Sequence, residues 1–185
     1  LGAPTVSQSP SVSGTLFVGR TLTAQEPVGM FTGNPTPAIS SRSWYRCSSP
    51  VSASASLAGC SAISGTNSTS YTVTSADTSR YLVFAATATN SVGSVVASSP
   101  STLIIANVPS APGVTSAALA GSGALNLTVE LGAANNSAIS DIEYEVNSSG
   151  TWVSTSGTNT TFLISGLTNG QEHAVRVRSV NAVGK

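Results

Sequence analysis

Charge is scarce in this chain. Only 8% of its 185 residues are Asp, Glu, Lys or Arg, and seven acidic groups balance seven basic ones. The sole lysine is Lys185, and six arginines are scattered over the rest. A protein that grips nucleic acid or an anionic membrane gathers Lys and Arg on one face, so no nucleic-acid partner is expected. Long apolar runs are missing as well. The longest, around Leu103-Ile104-Ile105-Ala106, is strand-sized, so no membrane insertion is expected. The first residues, Leu1-Gly2-Ala3-Pro4, lack a basic-then-apolar leader pattern, so the expectation is that any secretion signal has been removed or lies outside this sequence. Catalytic inventory is equally thin. His173 is the one histidine, and neither a G-x-S-x-G elbow, a P-loop nor a dinucleotide fingerprint occurs. No enzyme, cofactor or metal chemistry is expected.

Two cysteines remain to be placed. Cys47 and Cys60 enclose twelve residues, without the C-x-x-C spacing of a redox motif. A zinc site needs about four ligands, and His173 is more than a hundred residues away. A disulfide closing a hairpin-sized loop is the simplest reading, worth about 3 kcal/mol by the chain-entropy model. A paired cysteine set and almost no lysine fit a chain that works outside the cytosol.

What is present is period two. Apolar residues alternate with Ser, Thr, Asn or charge over Thr21-Leu22-Thr23-Ala24, Tyr71-Thr72-Val73-Thr74, Leu125–Val129, Ile142–Val146 and Val175–Arg178. Turn clusters such as Ser64-Gly65-Thr66-Asn67 and Ser148-Ser149-Gly150 punctuate them. Alternation, β-branched residues and frequent turns predict an all-β chain of antiparallel β-sandwiches. Hydrophobic residues at 40% are enough to build cores and exclude disorder of the apolar-poor kind. The stretch 107–112, with Pro109 and Pro112, reads as a linker between a domain at 1–106 and another at 113–185. Each half also ends in a similar pattern, Thr87-Ala88-Thr89-Asn90-Ser91-Val92-Gly93 and Arg178-Ser179-Val180-Asn181-Ala182-Val183-Gly184, a weak internal repeat of tandem modules.

Two families are resembled at these residues. In the first half, Trp44-Tyr45-Arg46-Cys47 sits where immunoglobulin-like domains place the core tryptophan of strand C. Asp77-Thr78-Ser79-Arg80-Tyr81 resembles their D-x-G-x-Y corner, so the half looks like a bacterial immunoglobulin-like domain. The resemblance implies a central Trp44 and a Tyr81 hydroxyl bonded back to nearby backbone. Leu22 and Val83 stand at the positions of the usual inter-sheet disulfide, so Cys47 and Cys60 are implied to bridge neighbouring strands C and C′. The second half is similar to a fibronectin type III domain through Ser165–Asn181, which matches that family's E–F corner and strand F. His173 replaces the corner tyrosine. Such a domain needs one more strand after strand F. The expectation is a fragment of a longer protein, with a strand supplied by another chain as the alternative.

Site candidates are few. His173 reads as a corner residue bonded to backbone rather than a general base. Asp141, Glu143 and Glu145 alternate and therefore share one strand face. Calcium would need six to eight oxygens, whereas Arg176 and Arg178 form a matching stripe on the strand expected alongside, so cross-strand ion pairs of Glu143 and Glu145 are favoured. Trp44, Tyr81 and Tyr144 fall on inward phases. Tyr45 and Trp152 are the aromatics left as candidate ligand contacts.

Families of this kind imply no chemistry of their own. The expected role is a spacer or stalk segment of a secreted or cell-surface multidomain protein, bacterial by its module types. Its expected partners are neighbouring domains or copies of itself. An adhesin binding cell-surface glycan or protein is the first alternative. A filament, sheath or virion-appendage subunit using strand donation is the second.

Overall fold

Alternation becomes strand wherever the sequence carries it. Thr21-Leu22-Thr23-Ala24 lies within a strand whose Leu22 and Ala24 are buried and whose Thr21 is exposed. Ile142–Val146 lies within another, with Ile142 buried on one face and the carboxylates on the other. The computed structural model describes residues 1–185, and strand pairing divides them into two units, Leu1–Ala106 and Asn107–Lys185.

The first unit holds nine strands: β1 (Gly2–Val6), β2 (Ser11–Ser13), β3 (Thr21–Gln25), β4 (Phe31–Asn34), β5 (Ala38–Cys47), β6 (Cys60–Ile63), β7 (Ser70–Thr72), β8 (Tyr81–Asn90) and β9 (Gly93–Ser98). A sheet ordered β6-β5-β8-β9 faces a sheet ordered β2-β3-β7, and β1 and β4 form a separate two-stranded ladder. Every ladder is antiparallel. Between the two sheets lies a core of Leu22, Trp44, Val73, Leu82, Phe84 and Ile105. Trp44 is its centre. Its ring lies 5.5 Å from both Tyr71 and Phe84, and its indole N–H donates to the Ser68 carbonyl at 3.0 Å, so the one polar atom of the largest core residue is satisfied.

The phase of β8 corrects one sequence expectation. Leu82, Phe84 and Ala86 enter the core, so Tyr81 and Val83 lie on the other face. Leu22 therefore faces the core while Val83 does not, and Tyr81 is half-buried beside Cys47 in the ladder. The strand begins just after a 3-10 turn at Ser75–Asp77, and that start point puts the even-numbered residues inside. Val83 and Ala85 are nevertheless buried, because the loop at 48–59 folds back over the outer face and bonds to the end of β9.

The second unit holds six strands: β10 (Gly113–Gly121), β11 (Ala124–Glu130), β12 (Ile139–Val146), β13 (Val153–Ser154), β14 (Thr161–Ser165) and β15 (Val175–Asn181). Its sheets run β10-β11-β14 and β13-β12-β15, all antiparallel. Leu127, Val129, Ile142 and Ile164 form the buried centre, with Val175 and Val177 packed against it. Tyr144, half-buried, stacks on Phe162 at 5.7 Å. The alternation of apolar and polar residues over two facing sheets is the β-sandwich the sequence predicts.

The stretch 107–112 is not a free linker. The Asn107 and Ser110 N–H groups donate to the carbonyls of Asn135 and Ala133, both at 2.9 Å, and the Asn135 amide returns a bond to the Val108 carbonyl. These bonds run to carbonyls on the β11–β12 loop, which needs no N–H from Pro109 or Pro112. The segment belongs to the second unit.

The repeated Asn has a specific task in each unit. The Asn90 side-chain oxygen accepts from the Val92 and Gly93 N–H groups, and its amide donates to the Gly2 and Pro35 carbonyls. Asn181 accepts in the same way from Val183 and Gly184 and donates to Asn107, Ala134 and Ser137. One amide thus caps the turn after the long strand and clamps the start of its own unit. Asn181→Ala removes all of these bonds from a residue only 5% exposed and leaves several carbonyls without their donor. It should cost about 2 kcal/mol, read as a lower urea midpoint of the second unit, whereas a loss within a few tenths would deny the clamp.

Candidate functional site

Most of the chemistry-bearing side chains gather in three places, each held by hydrogen bonds to its neighbours. The first is beneath Trp44. Asp77, fully buried, accepts from the Tyr71 hydroxyl at 2.8 Å and from the Thr74 N–H and hydroxyl at 2.7 and 3.0 Å. Its other oxygen takes Arg46 in an ion pair, and the same guanidinium reaches the Tyr71 oxygen at 3.1 Å. Burial, and then the Asp77 carboxylate, push the Tyr71 hydroxyl above its ordinary value. The Tyr71 hydroxyl thus ties the start of the corner to Asp77 and Arg46. The sequence signal was present in Thr74-Ser75-Ala76-Asp77, a T-x-x-D capping pattern that closes the 3-10 turn.

The second place is the outer face of β12 and β15. Glu143 stands opposite Arg178 and Glu145 opposite Arg176 in the ladder. Both pairs make ion contacts, and Lys185 adds a second cation to Glu143 at 3.1 Å. Glu145 is 1% exposed, because the turn at 147–150 folds over it and donates the Gly150 N–H. Burial pushes its carboxyl up, but the Gly150 bond and Arg176 outweigh that and hold it below the ordinary value. Glu143 is held low in the same way by Arg178 and Lys185 against burial. Asp141, the third carboxylate of the stripe, accepts from the Ser154 hydroxyl at 2.6 Å and from the Gly157 and Ile142 N–H groups. These bonds hold its carboxyl low against burial.

Trp152, a candidate for external contact whose favoured reading is packing at a strand edge, is half-buried against this ladder. Its ring lies under Arg178 at 3.9 Å and beside Arg176 at 5.7 Å. The indole is the lid of the ladder, and its face is taken by guanidinium.

A carboxyl lowered by folding binds its proton only in the unfolded chain at intermediate pH. Its stabilisation is complete above the ordinary glutamate value of 4.5 and is lost as pH falls through the lower folded value. The second unit should lose thermal stability progressively below about pH 4.5 in calorimetry, and Glu145→Gln should flatten that acid slope. An unchanged slope in the variant would remove Glu145 from the acid response.

The third place is the corner before β15. The His173 ring nitrogens bond to Thr168 backbone and to the Asn147 amide, all within 3.2 Å. The imidazole ties two loops together.

Cys47 and Cys60 form a disulfide between β5 and β6, closing the loop at 48–59. Tyr45 is on the same outer face of β5, half-buried against that loop. Sequence reasoning passed over Arg42, which makes two bonds of 2.8 Å to Glu26 across the first unit, and Ser98, whose hydroxyl is buried. No residue spacing announced either one.

No protein-family model matches this sequence, and no curated protein does. Among solved structures, the chain is similar over all of its length to domains A168-A170 from titin, at 16% identity and a TM-score of 0.38. It is similar over 99% of its length to the FN1-FN3 domains of chicken CNTN1, at 15% identity and a TM-score of 0.39. It spans 63% and 65% of those chains. The sandwich fold itself stands on the ladders and cores described above. No helix is long and apolar enough to cross a membrane.

Proposed function

We propose that this chain is a non-catalytic spacer segment of an extracellular or cell-surface protein of bacterial origin. One observation carries the reading. The side chains from which chemistry could be built, Asp77, Glu143, Glu145, Arg46, Arg176 and His173, are consumed in bonds that hold strands and corners together. A group already saturated by structural partners is a support, not a reagent. The disulfide adds a covalent staple of the kind that persists in oxidising compartments. Antibodies raised against the chain test the location. Labelling of intact source cells, removed by external protease, supports the proposal, and labelling only after lysis rejects it.

The sheet edges favour a second reading, assembly by strand donation. β15 and β10 are each the edge of a three-stranded sheet, and all nine residues of β10 are exposed, with Leu119 at 94%. Unpaired edge groups template a strand from another chain. Light scattering across a micromolar range separates the readings: growth into oligomers favours assembly, and a monomer throughout favours the spacer.

A further inference from the structure

Beside the Asp77 corner the first unit carries an open cleft of about 330 Å³, lined by Arg46, Ser48, Gly59, Ser61, Ala76 and Arg80. Three parts of the chain build it. Arg46 and Ser61 are opposite partners in the β5–β6 ladder, so their side chains share one face. Ser48 and Gly59 flank Cys47 and Cys60, and the disulfide holds those two ends of the loop together. Ala76 lies in the 3-10 turn, and Arg80 follows it with its N–H bonded to the Asp77 carbonyl at 2.9 Å.

The charge in this cleft is not balanced. Arg42, Arg46, Arg176, Arg178 and Lys185 each have a carboxylate partner. The Arg80 guanidinium is exposed and has neither an ion pair nor a hydrogen bond. Arg46 is held through its Nε and Nη2 atoms by Asp77, Tyr71 and Thr74, and 28% of its side chain stays exposed. Its Nη1 takes part in none of these bonds, so a guanidinium already fixed in place keeps donors to spare. The Ser48 and Ser61 hydroxyls are exposed and unpartnered as well. Arg46, Arg80 and the buried Asp77 carboxylate sum to one positive charge. A neutral occupant leaves that charge unmet, and a dianion sets surplus negative charge beside Asp77. A singly charged group with two or three acceptor oxygens matches both the charge and the donors, because guanidinium forks pair best with such groups.

We propose that this cleft binds a singly charged oxyanion, a carboxylate or a sulfate ester, with Arg80 as its counter-charge and Arg46, Ser48 and Ser61 as further donors. The volume lies near the lower end of the roughly 300–1,000 Å³ typical of ligand sites, room for the anionic group and one ring that carries it. The site is independent of the spacer role, and failure of either leaves the other standing.

Titration of the isotopically labelled chain at constant ionic strength tests this by chemical shifts of backbone amides and arginine Nε–H groups. The probes are methyl glucuronide for the carboxylate, methyl sulfate for the ester, methyl phosphate as the dianion and methyl glucoside as the neutral ring. At least one of the two singly charged probes should move Arg80, Arg46, Ser48, Gly59 and Ser61 together and saturably, with an affinity on the order of millimolar. The tighter of the two identifies the source of the anion, and phosphate and glucoside should bind more weakly than it does. Arg46→Gln would break the Asp77 pair, so Arg80 carries the mutational test. Arg80→Gln should weaken binding about tenfold and leave the unfolding midpoint unchanged, because it removes an exposed, unpartnered side chain. Arg20→Gln, at the other exposed arginine without an ion pair, should leave binding intact. Absence of saturable shifts, equal binding of the glucoside, undiminished binding by Arg80→Gln, or an equal loss in Arg20→Gln would each overturn the proposal.

Discussion

Asp77→Ala should be the most damaging single change in the first unit, lowering its stability by about 3–5 kcal/mol. The carboxylate is fully buried and holds four donors: the Arg46 guanidinium, the Tyr71 hydroxyl, and the Thr74 N–H and hydroxyl. Truncation strands all four and opens the 3-10 turn that sets the phase of β8. Arg46 keeps 28% of its side chain in water, so hydration recovers part of the loss and places the effect toward the lower end of that range. Asp77→Asn keeps one acceptor oxygen for Tyr71 and Thr74 but loses the charge and turns an amide N–H2 toward Arg46, so it should fall between Asp77→Ala and the parent. Urea unfolding followed by Trp44 fluorescence, in a Trp152→Phe background that silences the second unit, measures both. A loss below about 1 kcal/mol for Asp77→Ala would mean that Arg46 and Tyr71 find new partners and that the cluster is not a cornerstone.

Reduction of the Cys47–Cys60 bridge should be the next largest effect, about 3 kcal/mol for a sequence separation of 13. For a unit of about 100 residues that corresponds to a fall of roughly 15 °C in melting temperature. The consequence is local as well as global. The loop at 48–59 covers Val83 and Ala85 and walls a second cleft, beside Tyr45, so its release exposes apolar surface on the outer face. Limited proteolysis should then cut within 48–59 before any other site, and intact mass should rise by about two protons on reduction. Free thiols in unreduced protein would remove both the bridge and the argument for an oxidising compartment.

The acid–Arg ladder was the most legible part of the candidate site. Period two alone places Glu143 and Glu145 on one face, and the same rule places Arg176 and Arg178 on one face of β15. A one-residue slip would have turned either stripe into the core, and Ile142, Tyr144, Val175 and Val177 forbid it. Trp152 was not legible, because what a loop residue covers depends on where the turn at 147–150 returns the chain. The two asparagines were visible only as a repeated pattern. Their partners, Gly2 and Pro35 in one unit and Asn107, Ala134 and Ser137 in the other, lie 44 to 88 residues away.

The all-β class, the paired cysteines and the faces of the polar-alternating strands follow from the sequence by itself, because alternation and turn residues are local properties of the chain. The orientation of β8 does not. Leu82-Val83-Phe84-Ala85-Ala86 is apolar at every position, so period two separates its faces without saying which one meets Trp44. That choice is made by the 3-10 turn at Asp77, which starts the strand, and by the disulfide-closed loop, which buries Val83 and Ala85 on the far side. The same packing brought Tyr71 to Asp77 and left the Ser98 hydroxyl buried and unpaired. Burial is a property of what lies opposite a side chain, and only the tertiary structure supplies the opposite wall.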